Sequence, residues 1–101
     1  MLVEITSYFA LPGKEQAVLE QRRRASGIRE SLGLPAGQIY RKLEGPGPDV
    51  RWECRFASAE DHRKDMAARA GSIEFSEARK AMHTLVERFE RRIEEMVEAL
   101  P

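Results

Sequence analysis

Residues 50–61 read VRWECRFASAED and contain the change from strand to helix around which the rest of the chain is organised. Over Val50–Ala57 apolar side chains alternate with charged ones, and this period of two is typical of a strand with one buried face. Ser58 stands three residues before Asp61, the spacing of a helix-capping box, with aspartate where glutamate or glutamine is usual. The stretch therefore predicts a strand followed at Ser58 by a short helix that ends near Gly71.

Three further elements are predicted upstream of this stretch. Leu2–Leu11 alternates like a strand, and Lys14–Leu32 has apolar residues at the spacings of three and four that are typical of a helix. The charged residues that we place on the wet side of this helix are Glu15, Glu20, Arg22, Arg23, Arg29 and Glu30. Gln38–Glu44 predicts a second strand. The loop Gly45–Asp49 is too short for a helical crossover, so this strand should pair antiparallel with the strand of the opening stretch.

The last third of the chain is open to two interpretations. Its apolar residues follow helical spacing without a miss: Phe75, Ala78, Met82, Leu85, Val86, Phe89, Ile93, Met96, Val97 and Leu100. Periodicity alone predicts one helix of about 25 residues. As a strand, Phe89–Val97 alternates poorly, because Arg91 and Glu95 would share a face with its apolar residues.

Composition narrows the class of protein. The chain has 101 residues, 17 basic against 17 acidic, and one cysteine. We expect a single domain, 1–101. A net charge of zero disfavours a nucleic-acid binder, and one cysteine excludes a disulfide framework or a cysteine-rich zinc site. No apolar run approaches the ~18 residues of a membrane span, and the N-terminus lacks the basic start of a signal peptide, so we expect a cytoplasmic protein without membrane contact.

The order strand–helix–strand–strand–helix–helix resembles the dimeric α/β-barrel superfamily of ferredoxin-like monomers. The likeness is closest to the branch of NIPSNAP-type proteins and antibiotic biosynthesis monooxygenases. It rests on Glu4, Thr6, Tyr8 and Pro12-Gly13 in the first strand, on Phe56–Asp61, and on Gly71–Phe75 at the start of the next helix. Two positions depart from the family: Thr6 stands where the family has arginine, and Trp52 where it has histidine or a polar aromatic residue.

The resemblance implies a fold and a partner. It implies an α+β fold, a ferredoxin-like antiparallel sheet with helices on one face, in which a helix ending near Arg88 precedes a fourth strand around Phe89–Val97. We follow the family here, because tertiary context overrides local propensity. It also implies a homodimer through the sheet face that the helices leave open. We expect that face to hold enough apolar surface to need a partner.

The aromatic residues Tyr8, Tyr40 and Trp52 are the candidate ligand-binding residues. Their rings lie on neighbouring strands and would line a cavity between sheet and helices, as the resemblance to cofactor-free monooxygenases implies. Ordinary core packing is the alternative, with the indole N–H hydrogen-bonded.

Among ionisable residues, His62 is the candidate catalytic residue, since its helix position matches a histidine of these monooxygenases and imidazole titrates near neutral pH. An exposed helix histidine is the alternative. His83 lies in the last predicted helix, and we expect it at an edge position rather than as a ligand. The two histidines lack metal-binding spacing, so we expect neither a metal nor a cofactor. Cys54 is most simply a small buried hydrophobe.

Two charged groups have competing explanations. Arg51, Glu53 and Arg55 form a stripe on one strand face, which is either solvated or part of an interface between paired sheets. Arg22-Arg23-Arg24 point in different directions around a helix and are accompanied by acidic residues, so we interpret them as a solvated face.

Two functions remain open from the sequence. One is a small-molecule-binding protein, with a cofactor-independent, monooxygenase-like reaction as its enzymatic form. The other is a non-enzymatic dimeric module for ligand sensing or protein interaction. No acid–base or nucleophile–base pair can be assigned from the residues, so whether the protein is an enzyme stays undecided.

Overall fold

The computed structural model describes all 101 residues as four strands and three helices. Their bounds are β1 Leu2–Ala10, α1 Glu15–Ser31, β2 Gln38–Arg41, β3 Val50–Phe56, α2 Ala59–Ala70, α3 Ile73–His83 and β4 Val86–Glu95. The sheet is open, with the order β2-β3-β1-β4, and every neighbouring pair is antiparallel. The predicted α+β class is confirmed.

The end of the chain forms a strand, and the long helix that periodicity predicts is wrong. Helix α3 ends at His83, and β4 then pairs with β1 from Leu2↔Glu95 to Phe9↔Arg88. Strand β4 begins at Val86, three residues before the Phe89 that the resemblance implies, and ends at Glu95, two residues before the implied Val97. A spacing of four residues fits a helix face, but it also equals two strand repeats, so apolar residues four apart share a strand face as well. The otherwise unpaired edge of β1 decides between the two.

The predicted start of α2 is confirmed in detail. The hydroxyl of Ser58 accepts a hydrogen bond of 3.1 Å from the backbone N–H of Asp61, and the helix ends at its C-cap, Gly71. Ser72 caps α3 in the same way, with a 3.1 Å bond from the N–H of Phe75. Each serine satisfies a backbone donor that the first helical turn leaves without a partner.

The three helices pack against one face of the sheet. The main core joins this face to α1 and α3 through Tyr8, Val18, Leu19, Val50, Trp52, Cys54, Phe56, Met82 and Val86. Thr6 is in register with Trp52, and antiparallel partners share a face, so β1 turns Glu4, Thr6 and Tyr8 toward the helices. A charged residue of β1 therefore lies inside the protein.

The opposite face of the sheet, which we call the outer face, exposes little apolar surface. Val3 and Ile5 lie there, yet they are only 8% and 6% exposed. Long charged side chains on β3 and β4 flank them, and the Arg88 guanidinium lies 3.7 Å from the ring centre of Phe9. The expectation of an apolar outer face is therefore wrong, because side chains within one chain already cover most of it.

No helix in the structure is long and apolar enough to cross a membrane.

Candidate ligand-binding cavity

A cavity of about 450 Å³ lies between the helix-facing side of the sheet and the helices. Strands β1, β3 and β4 and all three helices contribute to its lining. Half of the lining residues are hydrophobic, among them Phe75, Met82 and Phe89. The volume lies in the range of protein sites that hold small molecules.

Two of the three predicted aromatic residues line this cavity. Tyr8 and Trp52 are both buried, with Trp52 only 1% exposed. The indole N–H of Trp52 donates a 2.9 Å hydrogen bond to the carbonyl of Ala36. Trp52 therefore belongs to the core and to the cavity wall at once, and it is fixed in orientation.

Tyr40 lies elsewhere. It is in register with Arg51, whose guanidinium sits 4.2 Å from the centre of the tyrosine ring, and it is 43% exposed. On the same face of the sheet, Glu53 forms ion pairs with both arginines of the charged stripe. Its carboxylate is 2.8 Å from Arg51 and 3.8 Å from Arg55. The structure thus separates Tyr40 from Tyr8 and Trp52.

The side chain of Arg22 is buried against the cavity, so its predicted place on the solvated side of α1 is wrong. It is 4% exposed, and its guanidinium lies 4.6 Å from the ring centre of Trp52. One terminal nitrogen donates to the hydroxyl of Tyr8 at 3.1 Å and the other to that of Ser26 at 3.3 Å. Burial lowers the pKa of Arg22 from its ordinary value, while its contact with Tyr8 acts in the opposite direction.

The carboxylate of Glu4 forms the centre of a second polar cluster. Its Oε1 accepts from Arg69 at 2.7 Å and from His62 at 2.9 Å, and its Oε2 accepts from Arg91 at 3.2 Å. Burial by itself would raise the pKa of Glu4, but the hydrogen bonds and the charge of Arg69, followed by His62 and Arg91, lower it from 4.5 to about 2. An ionised carboxylate only accepts hydrogen bonds, so Nε2 of His62 carries the proton in this contact.

This arrangement places His62 behind Glu4 rather than in the cavity wall. The residue is 8% exposed, its ring packs edge-on against Phe56 with the ring centres 4.8 Å apart, and it is absent from the cavity lining. The exposed helix histidine considered as an alternative is therefore wrong. The histidine that does line the cavity is His83, which stacks on Phe89 with the ring centres 4.9 Å apart.

A buried ion pair between Arg29 and Asp65 lies against Trp52, which forms part of the cavity wall. Arg29 is fully buried, and its two terminal nitrogens bond the oxygens of Asp65 at 3.0 and 2.7 Å. The guanidinium also lies 4.8 Å from the ring centre of Trp52 and 3.7 Å from the sulfur of Cys54. The predicted solvated position of Arg29 is therefore wrong. The pKa of the Cys54 thiol is raised, mainly by burial, and Arg29 only partly opposes this effect.

Sequence reasoning missed most of these charged residues, although helix α1 carries one signal of them. Its buried stripe runs through positions 18, 22, 25 and 29, at spacings of four, three and four, and two of these positions are arginine. Arginine on the apolar stripe of an amphipathic helix indicates a buried guanidinium with a specific partner. The partners Glu4, Asp65 and Arg91 gave no such local signal. No group of three or more His, Cys, Asp or Glu side chains is placed to hold a metal ion.

Fold and site together define an α+β protein with a partly open, arginine-rich cavity between one face of a four-stranded antiparallel sheet and its helices. No family model matches the sequence, and no curated protein matches it. Its likeness to known proteins is therefore structural.

Several solved structures superpose over nearly the whole chain. An uncharacterised NIPSNAP domain protein from Burkholderia xenovorans has a TM-score of 0.78 at 15% identity, covering 100% of this chain and 99% of its own. A protein described as an antibiotic biosynthesis monooxygenase has a TM-score of 0.74 at 15% identity, covering 97% and 100%. A dimeric protein of unknown function with a ferredoxin-like fold, from Bacteroides fragilis, has a TM-score of 0.70 at 12% identity, covering 94% and 95%. The chain has the ferredoxin-like fold of these NIPSNAP and monooxygenase structures, which confirms the predicted resemblance at the level of fold.

Proposed function

We propose that this chain is a single domain that binds a small molecule in the cavity between sheet and helices. The observation that carries the proposal is the combination of a cavity of about 450 Å³ with an apolar lining and a few fixed polar groups. This combination is the usual composition of small-molecule sites, in which apolar surface provides affinity and a few polar groups set the orientation of the ligand. Trp52 and Tyr8 supply rigid aromatic walls.

The test uses the only tryptophan of the chain as a reporter, because Trp52 lines the cavity. Its indole N–H gives one resonance in a ¹H–¹⁵N spectrum of the labelled protein. The probes are cyclohexyl and naphthyl rings, each carrying a hydroxyl, a carboxamide or a carboxylate. We expect at least one probe to shift the indole resonance in a saturable manner, and the proposal is refuted if none does.

A matched pair of substitutions on α3 locates the binding. Ala78 lines the cavity and is 4% exposed, whereas Ala81 is on the outer surface of the same helix. Ala78→Leu fills part of the cavity and should weaken binding, while Ala81→Leu should leave it unchanged. Equal effects of the two substitutions would show that the probes bind elsewhere.

We further propose that the chain forms a homodimer through the outer face of its sheet. The support is the alternation of charge in Arg51, Glu53 and Arg55, because a twofold axis can set Glu53 of each copy against Arg51 of the other. The dimeric state of the similar Bacteroides fragilis protein supports it as well. Sedimentation at micromolar concentration should give twice the mass of the 11.5 kDa chain, and 11.5 kDa would refute it.

A charge reversal on the outer face tests which surface pairs. Glu53→Lys leaves three like charges in the stripe and should dissociate the dimer. Glu60→Lys, at an exposed position of α2, makes the same change away from the sheet and should not. A dimer that survives Glu53→Lys would have to use another surface.

An oxygen-consuming reaction is the second candidate function, supported by the fold likeness to a protein described as an antibiotic biosynthesis monooxygenase, and His83, which lines the cavity beside Phe89, is its candidate proton carrier. The predicted proton-transfer role of His62 would have to act through Glu4, whose two oxygens are already engaged. Oxygen uptake with 1,4-dihydroxynaphthalene, corrected for its spontaneous oxidation, tests both. Loss of uptake in His83→Gln alone would assign proton transfer to His83, loss in His62→Gln alone would support His62, and no uptake by the wild type would exclude this reaction for this substrate.

A further inference from the structure

Arg22 differs from Arg29, the other buried arginine, and from the half-buried Arg69 because it has no acidic partner. Arg29 pairs with Asp65 at 2.7 Å, and Arg69 pairs with Glu4, also at 2.7 Å. Arg22 is buried to a similar degree, yet no carboxylate forms an ion pair with it, and its two acceptors are neutral hydroxyls. Burying a charge without a counter-charge is costly, so this position needs an explanation beyond stability.

The guanidinium of Arg22 also keeps most of its hydrogen-bonding capacity unused. Arginine has five N–H groups, and the hydroxyls of Tyr8 and Ser26 accept one from each terminal nitrogen. Its Nε has no hydrogen-bond partner at all. The ring of Trp52 lies against the guanidinium at 4.6 Å and offsets part of the cost of burial, but it accepts none of the remaining N–H groups in their plane.

The other charged residues around the cavity also leave Arg22 without a counter-charge. Glu4 is already shared between Arg69 and Arg91, and Asp65 is shared between Arg29 and Arg69. Arg22 therefore has no share in either carboxylate. An anion that entered the cavity would meet one buried guanidinium without a counter-charge, that of Arg22, while the Glu4 carboxylate is neutralised by its own partners.

We propose that the ligand of this cavity is an organic carboxylate whose anionic group pairs with Arg22 and whose apolar body lies against Phe75, Met82 and Phe89. This inference rests on the proposed function and names its ligand class. A planar carboxylate suits the planar fork of a guanidinium, which binds it through two parallel hydrogen bonds. The apolar part of the lining favours an organic body over a free inorganic anion.

The number of charges on the ligand follows from the partners of the other arginines. Arg22 is the one buried arginine of the cavity that is free to take a new counter-ion, since Arg69 and Arg91 are engaged with Glu4 and Arg79, which also lines the cavity without an ion pair, is exposed to solvent. A second anionic group buried in the cavity would have to break those contacts, and outside it could only meet the exposed Arg79. The ligand therefore places one carboxylate inside the cavity, against Arg22, and its body is apolar.

Isosteric probes separate this inference from the proposed function. 2-Naphthoate and 2-naphthamide have nearly the same shape and differ in charge. We expect the carboxylate to bind the wild-type protein at least about tenfold more tightly than the amide, by calorimetry and by the Trp52 indole resonance, because a charge-assisted bidentate contact is replaced by neutral hydrogen bonds. Inorganic phosphate at the same concentration should not displace it.

Arg22→Met removes the charge while keeping the length of the side chain, with Arg23→Met on the exposed neighbouring position as the control. We expect Arg22→Met to bring the carboxylate down to the affinity of the amide, and Arg23→Met to leave the preference intact. Without ligand, Arg22→Met should be at least as stable as the wild type, because it removes an uncompensated buried charge. A marked loss of stability would assign Arg22 a structural role instead.

The possible results of these experiments test the carboxylate inference and the small-molecule proposal separately. Equal affinity of the wild type for 2-naphthoate and 2-naphthamide overturns the carboxylate inference and leaves small-molecule binding standing. Failure of every probe to bind overturns both. Phosphate that competes with 2-naphthoate would reassign the site to inorganic or phosphorylated anions. The comparison of probes on the wild type needs no variant to fold.

Discussion

Replacing Glu4 by glutamine should make the stability of the protein depend on pH in a way that isolates this one carboxylate. Glu4→Gln keeps the shape of the side chain but removes the charge that Arg69, Arg91 and His62 share. Protonation of Glu4 at low pH removes the same charge in the wild type. The difference in free energy of unfolding between the two proteins should therefore be large near neutral pH and should vanish in acid.

The magnitude follows from the depressed pKa of Glu4. It lies at about 2 in the folded protein against an ordinary value of 4.5, a difference of about 2.5 pH units at ~1.36 kcal/mol each. Because the folded pKa is the lower one, the stabilisation is complete above pH 4.5 and is lost as the pH falls toward 2. Linkage gives about 3 kcal/mol at pH 6, about 1.4 kcal/mol at pH 3 and under about 0.5 kcal/mol at pH 2.

Urea unfolding of both proteins at pH 6, 4, 3 and 2, followed by circular dichroism, measures this difference directly. The matched control is Glu60→Gln on α2, because Glu60 is exposed and its only ion pair is with Lys64 at 3.6 Å. Exposed pairs of this kind contribute under about 1 kcal/mol, so the control should show little dependence on pH. A difference between wild type and Glu4→Gln that stays constant from pH 6 to pH 2 would refute the reasoning.

Three further predictions concern the parts that support the cavity. Asp65→Asn leaves the fully buried Arg29 without its counter-charge and should lower the unfolding free energy by about 3–5 kcal/mol. The control, Asp61→Asn on the exposed side of α2, should lower it by under about 1 kcal/mol. Similar losses in the two variants would contradict the burial of the Arg29–Asp65 pair. Gly37 and Gly33 both have positive φ angles, of 78° and 76°, but only at Gly37 would an added Cβ collide with the indole of Trp52 and lie 2.7 Å from the carbonyl of Glu53. Gly37→Ala should therefore lower the unfolding free energy by at least about 1 kcal/mol more than Gly33→Ala, and equal losses would mean that the loop moves freely. Cys54 should react with a disulfide reagent far more slowly in the native protein than in guanidinium chloride, because it is buried and its thiol pKa is raised; equal rates would disprove its burial.

The parts of the fold that were predictable are those whose signals are local. The alternation over Val50–Phe56 and the capping serine at Ser58 each depend on neighbouring residues, and both appear in the structure as predicted. The terminal strand was not predictable from its own residues, since Phe89 and Ile93 stand four apart and suit a helix or a strand equally. What makes it a strand is its partner β1, whose paired residues lie 76 to 93 positions away in sequence and whose Glu4 also binds Arg91.

The candidate site was less predictable, because its essential pairs are remote in sequence. Arg29 and Asp65 are 36 residues apart, and Glu4 is 65 residues from Arg69. Considered alone, a charged residue is most economically placed in water, which is why Arg22 and Arg29 were expected on the surface. Trp52 and Tyr8 were easier, since large aromatic residues on a predicted strand are usually buried wherever the helices pack.

Net charge is a poor guide to the chemistry of such a cavity. The whole chain has 17 basic and 17 acidic residues, and this balance argues against a protein that must neutralise many phosphates along an extended surface. A small anion needs only one guanidinium that the protein has left without a counter-charge, and a single local imbalance is invisible in a total of zero. Arg22 is such a position, because the carboxylates nearest the cavity are already bound to other arginines. For a cavity of this size, the partners of each buried charge decide what it can bind, and the sum over the chain does not.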